Sequence, residues 1–583
     1  MQLTGSQIVC ESLLKEGIEL FFGYPGGVVL PFYDCLPKYP QLKHILTRHE
    51  QGAAMAAEGY ARMTGKVGVC LATSGPGATN LVTGIANAYL DSIPMVALTG
   101  QVATSVLGTD AFQEVDITGI TQPITKHNYL VTDVKDLAQI IKEGFHIART
   151  GRPGPVLIDI PVDVFKGETE YKYPDKVELV GFKPKTKGNP KQIKEISSYI
   201  KNAKKPVIIA GHGVHIAKAW NELKEFAEKT NIPVVNTLLG LSNFSQNSPL
   251  YCGMLGMHGT AVANLVVHHS DLVIAIGIRF DDRITGKLED FSKNTKFIHI
   301  DIDPAEIGKN VAINLPIVGD VKEVLTDVNI SIDFETNNDE WVEQVGKWKE
   351  EYPMDKFAAL QIDQHKDLYC KSCNQGKDQK QPCLRKMFAT QVVKLLSDMT
   401  KGEAIIASDV GQNQMWVAQY YQFNKQNSLL SSGGLGTMGY GLPAAMGAKV
   451  ALPNEEVWAV VGDGGFQMNI QELGTLVAYG INVKIAILNN SYLGMVRQWQ
   501  DMFYDKNFVD VYLQNPDFVK VAEGYGIKAF RACNEQEAKE AIEKAREEKG
   551  PVLVEFMVNP VKNIFPMVPV GTSLKDQMLG VAF

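Results

Sequence analysis

The stretch "VWAVVGDGGFQMNIQELGTLVAYGINVKIAILNN", from Val457 to Asn490, decides the fold of the region around it. An apolar strand ends in Gly-Asp-Gly-Gly, a helix follows, and a second apolar strand ends in Asn-Asn. In a parallel sheet such a crossover unit brings Asp463 and Asn490 to the carboxyl ends of two strands, where ligands bind. Carboxylate, amide and phosphate oxygens form a shell suited to Mg²⁺. The pair therefore predicts a magnesium-held diphosphate; a turn and a plain strand end are the alternative.

An earlier stretch repeats this arrangement. The segment "KVGVCLATSGPGATNLVTGIANAYLDSIPMVALTG", from Lys66 to Gly100, again has a strand, a glycine turn, a helix and a strand. Such an internal repeat predicts two domains of similar topology that face one another.

Continuous apolar strands joined by helices recur along the chain and predict α/β domains built on doubly wound parallel sheets. Polar stretches separate three such blocks. The predicted organisation is a first domain over residues 1–165, a linker over 166–192, a central domain over 193–332, a connector over 333–386, a third domain over 387–556 and a C-terminal tail over 557–583.

Composition narrows the classes of protein to consider. The net charge of −8 gives no reason to expect nucleic acid or an anionic membrane as a partner. No apolar run approaches the roughly 18 residues of a membrane span, and the first residues have the pattern of a folded amphipathic helix and not of a signal peptide. Eight cysteines in 583 residues indicate a reducing, cytoplasmic location and no disulfide framework.

The Gly-Asp-Gly and Asn-Asn pair, flanked by strands, resembles the motif of thiamin-diphosphate-dependent enzymes. Further segments, among them "RHEQGAAMAAEGYAR", "GTDAFQE", "GMLGMHGT", "IRFDDRITGK" and "LGMVRQWQ", together resemble the acetohydroxyacid synthase (acetolactate synthase) catalytic-subunit family. The resemblance covers nearly the whole chain. It implies that pyrimidine-binding and diphosphate-binding domains flank a central FAD-binding domain.

The resemblance implies a site for thiamin diphosphate and its metal. Asp463, Asn490 and the carbonyl of Tyr492 match the Mg²⁺ ligands. Met438 matches the residue that bends the cofactor, and the Gly436 carbonyl matches the acceptor for its 4′-amine. The other residues implied for thiamin diphosphate are Gly411, Gln412, Asn413, Gly464, Gly465, Leu493, Gly494 and Met495.

Three residues of the first domain match catalytic positions. Glu50 matches the acid that hydrogen-bonds N1′ of the aminopyrimidine, so that the cofactor removes its own C2 proton; a helix N-terminal acid is the alternative. Gln113 and Lys126 match residues that reach the active site, although Lys126 alone reads as a solvated lysine. Because Glu50 and Asp463 lie in different domains, which belong to different subunits in this family, the resemblance implies a homodimer or a dimer of dimers.

The central domain resembles the family's flavin domain. "AGHGV" is by itself only a weak phosphate-loop signal, and a strand-end acid such as Asp301 suits ribose hydroxyls. The residues implied for FAD are Arg152, Gly211, His212, Gly213, Thr237, Leu238, Leu255, Gly256, Met257, His258, Gly277, Arg279, Asp281, Asp301, Ile302, Asp320 and Val321.

The implied reaction joins pyruvate, with loss of CO₂, to a second 2-ketoacid. The product is 2-acetolactate from pyruvate and 2-aceto-2-hydroxybutyrate from 2-ketobutyrate, at the start of branched-chain amino acid biosynthesis. Arg283 matches the residue that holds the 2-ketoacid carboxylate, and Trp499 the residue that favours an ethyl over a methyl group. A surface ion pair and a core aromatic are their alternatives. The family also implies a small regulatory subunit as a partner.

Other interpretations stay open. A flavin-using pyruvate oxidase, an FAD-free catabolic acetolactate synthase and an inactive cofactor-binding scaffold are the rivals. Val28, Ala103, Val162 and Val570 depart from common residues of the channel to the active site, which leaves herbicide sensitivity open. A zinc site is a further possibility, against a solvated connector with reduced thiols, at His365, Cys370, Cys373 and Cys383.

Overall fold

Three six-stranded sheets, each wholly parallel, organise the molecule. The structure is a computed structural model, and it describes residues 1–291, 293, 295–357, 387–560 and 562–580. The predicted class, α/β with three parallel-sheet domains, is confirmed.

The first sheet has the spatial strand order β3-β2-β4-β5-β7-β6. Its strands are β2 (Leu20–Gly23), β3 (Lys43–Leu46), β4 (Gly68–Ala72), β5 (Met95–Gln101), β6 (His127–Leu130) and β7 (Pro155–Pro161). Every residue of β4, β5 and β7 is buried, as expected for a parallel sheet covered on both faces. The helices of this region are Gly5–Lys15, Leu30–Cys35, Glu50–Thr64, Pro76–Asn80, Val82–Asp91, Ile117–Thr121, Leu137–Arg149 and Val162–Lys166.

The second sheet has the order β11-β10-β9-β12-β13-β14. Its strands are β9 (Pro206–Ala210), β10 (Val234–Asn236), β11 (Tyr251–Met254), β12 (Leu272–Ile276), β13 (Lys296–Asp301) and β14 (Leu315–Val318). Numbered within the sheet, this is the order 3-2-1-4-5-6 of dinucleotide-binding domains. The helices are Pro190–Asn202, His212–Ile216, Trp220–Thr230, Ala261–His269, Asp282–Thr285, Leu288–Phe291, Val321–Ser331 and Asp339–Glu351.

The third sheet has the order β16-β15-β17-β18-β20-β19. Its strands are β15 (Ile405–Ser408), β16 (Leu429–Ser431), β17 (Val457–Gly462), β18 (Lys484–Asn489), β19 (Lys528–Ala532) and β20 (Val552–Met557). Numbered within the sheet, the order is 2-1-3-4-6-5, identical to that of the first sheet, which agrees with the internal repeat. The helices are Ala389–Thr400, Gln412–Tyr420, Gly441–Ala451, Asp463–Met468, Leu473–Tyr479, Gly494–Phe503, Phe518–Gly524 and Glu535–Glu547.

The first and third domains pack against each other through the helices Glu50–Thr64 and Gly441–Ala451. Gly447 allows this close approach, since a Cβ atom there would lie 1.9 Å from the carbonyl oxygen of Ala56. Buried alanines and methionines of both helices belong to one apolar cluster. The two related domains therefore share a core within one chain.

The polar segments between the domains carry more structure than their composition suggests. The predicted linker 166–192 includes β8 (Glu168–Glu170), which pairs antiparallel with β1 (Gln2–Thr4). The predicted connector 333–386 includes the helix Asp339–Glu351, whose Trp341 joins an apolar cluster of the central domain. Since nothing tests the domain boundaries themselves, they stay predictions.

No helix among the described residues is both long enough and apolar enough to cross a membrane. The suggested zinc ligands, His365, Cys370, Cys373 and Cys383, lie outside the described residues.

Candidate active site

Asp463 and Asn490 lie side by side at the carboxyl edge of the third sheet. Asp463 follows β17 directly and Asn490 follows β18, and these strands are neighbours in which Gly462 is opposite Leu488. Both side chains are buried, at 1% and 5% exposure. Asn515 Nδ2 donates to Asp463 Oδ2 at 2.6 Å, which fixes the carboxylate.

The chain after β18 is held in a defined shape. Ser491 adopts a left-handed conformation with φ of 59°, and the Asn490 side chain accepts from Tyr492 N at 2.9 Å. The returning segment pairs with this turn, because Leu493 N donates to Val511 O at 2.8 Å and Leu513 N to Ser491 O at 2.9 Å. The backbone around Tyr492, which bears the third predicted ligand, is therefore fixed from both sides.

A cavity opens at this edge, and most residues predicted for thiamin diphosphate line it. Those shared between prediction and cavity are Gly411, Gln412, Asn413, Met438, Asp463, Gly464, Gly465, Asn490, Tyr492, Leu493, Gly494 and Met495. Among the described residues, Gly436 and Glu50 are predicted but do not line it. Val410, Trp416, Gly462, Leu488 and Val496 line it although the sequence did not point to them.

The donor chemistry of this cavity fits a magnesium diphosphate. One carboxylate, one amide and main-chain carbonyls supply hard oxygen ligands in number too small for an all-protein cage, which is how Mg²⁺ bound to a phosphate is usually held. The cavity wall is closely packed at Gly494, because a Cβ atom there would lie 2.3 Å from Gln412 Oε1 and 2.8 Å from Asn490 Nδ2. Asp463, Asn490 and Tyr492 would hold the metal.

Asp409 lies behind the cavity wall, since a Cβ atom at Gly465 would lie 2.7 Å from Asp409 Oδ2, and the sequence did not point to it. It follows β15 and accepts from Gly439 N at 2.9 Å and from Val410 N at 2.6 Å. Burial raises the pKa of its carboxyl to about 7. The "SDVGQ" stretch, an acid directly after an apolar strand, is the signal that was available for it.

Glu50 lies at the corresponding edge of the first sheet. It is the first residue of the helix Glu50–Thr64, is 9% exposed, and its Oε2 accepts from Asn80 Nδ2 at 2.9 Å. The glycine loop after β4 adjoins it, since a Cβ atom at Gly77 would lie 3.3 Å from Glu50 Oε1. Gln113 is exposed and lies against Gly75 of the same loop. The structure thus brings Glu50 and Gln113 to one edge.

The structure does not bring Lys126 to that edge. Lys126 immediately precedes β6, at the amino ends of the strands, and its Nζ donates to Thr150 O at 2.8 Å and to Ile147 O. Burial lowers the pKa of the amine to about 8. Its catalytic role stays a prediction that the fold of one chain does not support.

The residues predicted for FAD gather at one edge of the second sheet. Each of its strands contributes at its carboxyl end: Gly211–Gly213 after β9, Thr237 and Leu238 after β10, Leu255–His258 after β11, Gly277, Arg279 and Asp281 after β12, Asp301 and Ile302 at β13, and Asp320 and Val321 after β14.

The centre of this edge is the crevice between β9 and β12, the position at which such sheets bind dinucleotides. Gly213 and Gly277 meet there, since a Cβ atom at Gly213 would lie 2.6 Å from the Cα of Gly277. Buried polar atoms without a partner in this part of the described chain include His212 Nε2, His258 Nδ1 and Asn236 Oδ1. Buried polar groups of this kind fit a polar ligand that would satisfy them.

The acids at this edge have distinct surroundings. Asp301 is 8% exposed, and burial raises the pKa of its carboxyl to about 7. Asp320 instead caps the helix Val321–Ser331 by accepting from Lys322 N and Glu323 N. Asp281 caps the short helix Asp282–Thr285. Arg152 reaches over from the first domain to pair with Glu306 at 2.7 Å.

Arg283 and Trp499 lie on different domains. The Arg283 side chain is 60% exposed and its Nη1 donates to Met257 Sδ at 3.5 Å. Trp499 is half-buried on the helix Gly494–Phe503. The C-terminal tail connects their surroundings, because Ile564 N donates to Gln498 Oε1 at 2.8 Å and Val568 N to Met257 O at 2.8 Å.

Comparisons with known proteins were made over the whole chain. Three family models match: the N-terminal TPP binding domain of thiamine pyrophosphate enzymes at residues 3–120, their central domain at 193–328 and their C-terminal TPP binding domain at 409–556.

Relatives of nearly full length are similar throughout. An acetolactate synthase large subunit of Corynebacterium glutamicum is 48% identical, covering 99% of this chain and 90% of its own length. A probable acetolactate synthase large subunit of Methanococcus aeolicus is 47% identical, covering 98% and 95%. An acetolactate synthase large subunit of Cyanidium caldarium is 46% identical, covering 99% and 97%.

Proposed function

Because the chain belongs to the acetolactate synthase large-subunit family of thiamin-diphosphate enzymes, we propose that it condenses pyruvate, with loss of CO₂, with a second 2-ketoacid. The products are 2-acetolactate from pyruvate and 2-aceto-2-hydroxybutyrate from 2-ketobutyrate. The observation that carries the proposal is the cavity at the carboxyl edge of the third sheet, lined by the residues that the motif predicts.

When bound, thiamin diphosphate would supply a carbon nucleophile, and its cationic ring would take up the electron pair left when CO₂ departs. The residues of this chain bind and orient it. Asp463, Asn490 and the Tyr492 carbonyl would hold Mg²⁺ and, through it, the diphosphate, while Gly464 and Gly494 allow the close packing of the cavity wall. Met438 supports the bend of the cofactor. Glu50 accepts the hydrogen bond of the aminopyrimidine, and its burial strengthens that contact.

The site requires a second copy of the chain. Glu50 lies at the edge of the first sheet and Asp463 at the edge of the third, and Glu50 is not among the described residues that line the cavity of its own chain. A homodimer, or a dimer of dimers, supplies one edge from each subunit. Several relatives are named large subunits, which supports a small regulatory subunit as a further partner.

The central domain binds FAD. Its strand order, the glycines at the crevice between β9 and β12, and the buried polar atoms without a partner among the described residues after β9, β10 and β11 support this ligand. The flavin takes no net part in the reaction.

Acceptor choice rests with Arg283 and Trp499. The Arg283 guanidinium is 60% exposed and its Nε lies 3.6 Å from Asp282 Oδ2, the surface ion pair that its neighbours in the sequence suggest. Its terminal nitrogens would hold a carboxylate through paired hydrogen bonds, and the indole suits an ethyl group. One methylene in such a pocket is worth about 1–3 kcal/mol, which is sufficient for a clear preference.

The test is incubation of the purified protein with pyruvate, 2-ketobutyrate, thiamin diphosphate, Mg²⁺ and FAD, with both products resolved and oxygen uptake recorded. We expect mostly 2-aceto-2-hydroxybutyrate and little oxygen consumed. Acetolactate alone contradicts the acceptor assignment. Oxygen consumption that matches pyruvate loss, without a condensed product, means that the flavin reacts and that the chain is an oxidase.

A further inference from the structure

The loop Ser432–Gly439, here called the Met438 loop, is anchored by the first domain of its own chain. It connects β16 to the helix Gly441–Ala451 and carries both Gly436 and Met438. Its tip is exposed, and it has no regular secondary structure of its own. Its position must therefore come from contacts with its surroundings.

Asp91 supplies the most direct of these contacts. Its carboxylate accepts from two successive backbone N–H groups of the loop, Gly433 N at 3.1 Å and Gly434 N at 2.7 Å. Asp91 is 3% exposed and is the last residue of the helix Val82–Asp91. Hydrogen bonds from backbone N–H groups to a buried carboxylate are among the stronger ones in proteins.

Asp91 is itself fixed by a buried ionic network. Arg62 Nη2 donates to Asp91 Oδ2 at 2.6 Å and to Glu58 Oε1 at 2.7 Å, and the side chains of all three residues are at most 2% exposed. Tyr440, directly after the loop, donates to Glu58 Oε1 at 3.1 Å. The network therefore contacts both the loop and the residue that follows it. Because Arg62 holds the Asp91 carboxylate, that group has little freedom to move.

Asn87, one helical turn before Asp91, holds the middle of the loop. Its Oδ1 accepts from Thr437 Oγ1 at 3.1 Å and from Ser432 Oγ, while its Nδ2 donates to Glu58 Oε2 at 2.7 Å. Thr437 adjoins Met438 in the chain. A displacement of Asn87 would therefore move Thr437, and with it the adjoining Met438.

We propose that Asp91 is a positioning residue: its carboxylate, fixed by Arg62, holds the Gly433–Gly434 turn and thereby sets the place of Met438 in the cofactor cavity. The inference rests on the proposed function, since it assumes that this cavity holds thiamin diphosphate. It assigns the first domain a role toward the cofactor bound to its own chain, besides presenting Glu50 to a second one.

Asp91→Asn tests the proposal, because the amide keeps the size of the side chain but loses one acceptor and leaves Arg62 without its second carboxylate. We expect kcat to fall about tenfold and the concentration of thiamin diphosphate for half-maximal activity to rise, since small misplacements of a positioned group cost up to about a hundredfold in rate. The KM for pyruvate should stay unchanged.

Asp271→Asn is the matched control. Asp271 also accepts from two successive backbone N–H groups, Lys204 N at 2.8 Å and Lys205 N at 2.9 Å, but it does so at the amino edge of the second sheet. The control should leave kcat and the thiamin diphosphate requirement at wild-type values. Equal losses in both variants would overturn the proposal.

A double-mutant cycle with Met438→Ala separates positioning from a general structural effect. If Asp91 acts through Met438, Asp91→Asn adds little loss of kcat once Met438 is truncated. If the loss of kcat in the double variant is instead the product of the two single losses, the assignment is refuted. If Asp91→Asn does not fold, Ser432→Ala removes a weaker contact of the same loop and should show the same pattern with a smaller loss of kcat.

The outcome stays separate from that of the proposed function. If the wild-type protein binds thiamin diphosphate but forms no condensed product, the same variants are compared by binding titration. Asp91→Asn should then weaken binding about tenfold, against no change for Asp271→Asn. If the wild-type protein binds no thiamin diphosphate with Mg²⁺, both the proposed function and this inference are wrong.

Discussion

The carboxyl edges of the first and third sheets have the same strand order but differ in what they build. The third edge encloses a cavity with Asp463, Asn490 and the glycines that shape it. The first edge carries Glu50 and an exposed Gln113 beside a glycine loop. The two edges therefore share a topology but differ in chemistry, since the third gathers oxygen ligands and closely packed glycines, and the first a buried acid and an exposed amide. Under the proposed function, one cofactor would use both edges.

The largest expected effect tests whether the two edges in one site come from different chains. Glu50→Gln and Asp463→Asn should each lower activity at least about a hundredfold, because one removes the acid and the other the charged member of the three proposed metal ligands. When the two inactive variants are co-expressed in equal amounts, about a quarter of the wild-type specific activity should return, since half of the randomly paired dimers then carry one intact site. The measurement is acetolactate formation by the purified mixture.

Each variant expressed alone is the control for this experiment. If both edges of a site came from the same chain, mixed dimers would contain no intact site and activity would not return. That outcome would contradict the claim that the two edges of one site come from different chains, because the first and third edges would then meet within one chain.

A smaller effect tests whether the third edge needs close packing at Gly494 to bind a phosphate group. Gly494→Ala puts a methyl group within 2.3 Å of Gln412 Oε1, so that this residue and the adjoining wall must shift. We expect a loss of about 1–3 kcal/mol in stability, thiamin diphosphate binding or both. Thermal unfolding with and without thiamin diphosphate and Mg²⁺ measures both quantities.

Gly346→Ala is the matched control, because Gly346 lies within the helix Asp339–Glu351 and a Cβ atom there meets open space. It should be neutral or stabilise the protein by about 0.5–1 kcal/mol. A Gly494→Ala protein that behaves like this control would show that the wall of the cavity tolerates a side chain.

Sequence patterns predicted the edges of the sheets well because a buried parallel strand leaves a continuous apolar run and ends in glycine or polar residues. This pattern, or the family resemblance, predicted that Asp463 and Asn490 follow strands, and predicted residues at the six strand ends of the second sheet. The spacing of Asn534 and Glu537 is likewise that of a capping box, and the Asn534 side chain accepts from Glu537 N at 3.0 Å.

Contacts between segments distant in the sequence were not predictable by the same means. Asn515 holds Asp463 from 52 residues away, and Asp91 holds Gly434 from 343 residues away. No local spacing signals such pairs. Lys126 was matched to the site by family resemblance alone; within one chain it lies before β6 at the amino edge, and its catalytic role stays a prediction.

The next expected effect concerns the second sheet, where Asp301 and Asp320 end neighbouring strands. Burial raises the pKa of the Asp301 carboxyl to about 7, so the folded protein binds a proton that the unfolded chain has lost above about pH 4. The stability from this protonation is full at low pH and is lost as pH rises through about 7. Asp301→Asn should therefore gain in stability relative to wild type between pH 5 and pH 8, as measured by urea denaturation without FAD. A constant difference would contradict the burial argument.

The smallest effect distinguishes Asp320 from Asp301. Asp320 Oδ1 accepts from Lys322 N at 2.9 Å and from Glu323 N at 3.2 Å, so the side chain is directed toward the helix that it caps. Asp320→Ala should cost about 1 kcal/mol of stability, the usual value of an N-cap. FAD affinity, measured by flavin fluorescence, should change less in this variant than in Asp301→Ala, because β13, which Asp301 ends, lies nearer than β14 to the crevice between β9 and β12. A larger loss of FAD affinity at Asp320 than at Asp301 would mean that the end of β14, and not that of β13, contacts the ligand, and that the cap forms only in its absence.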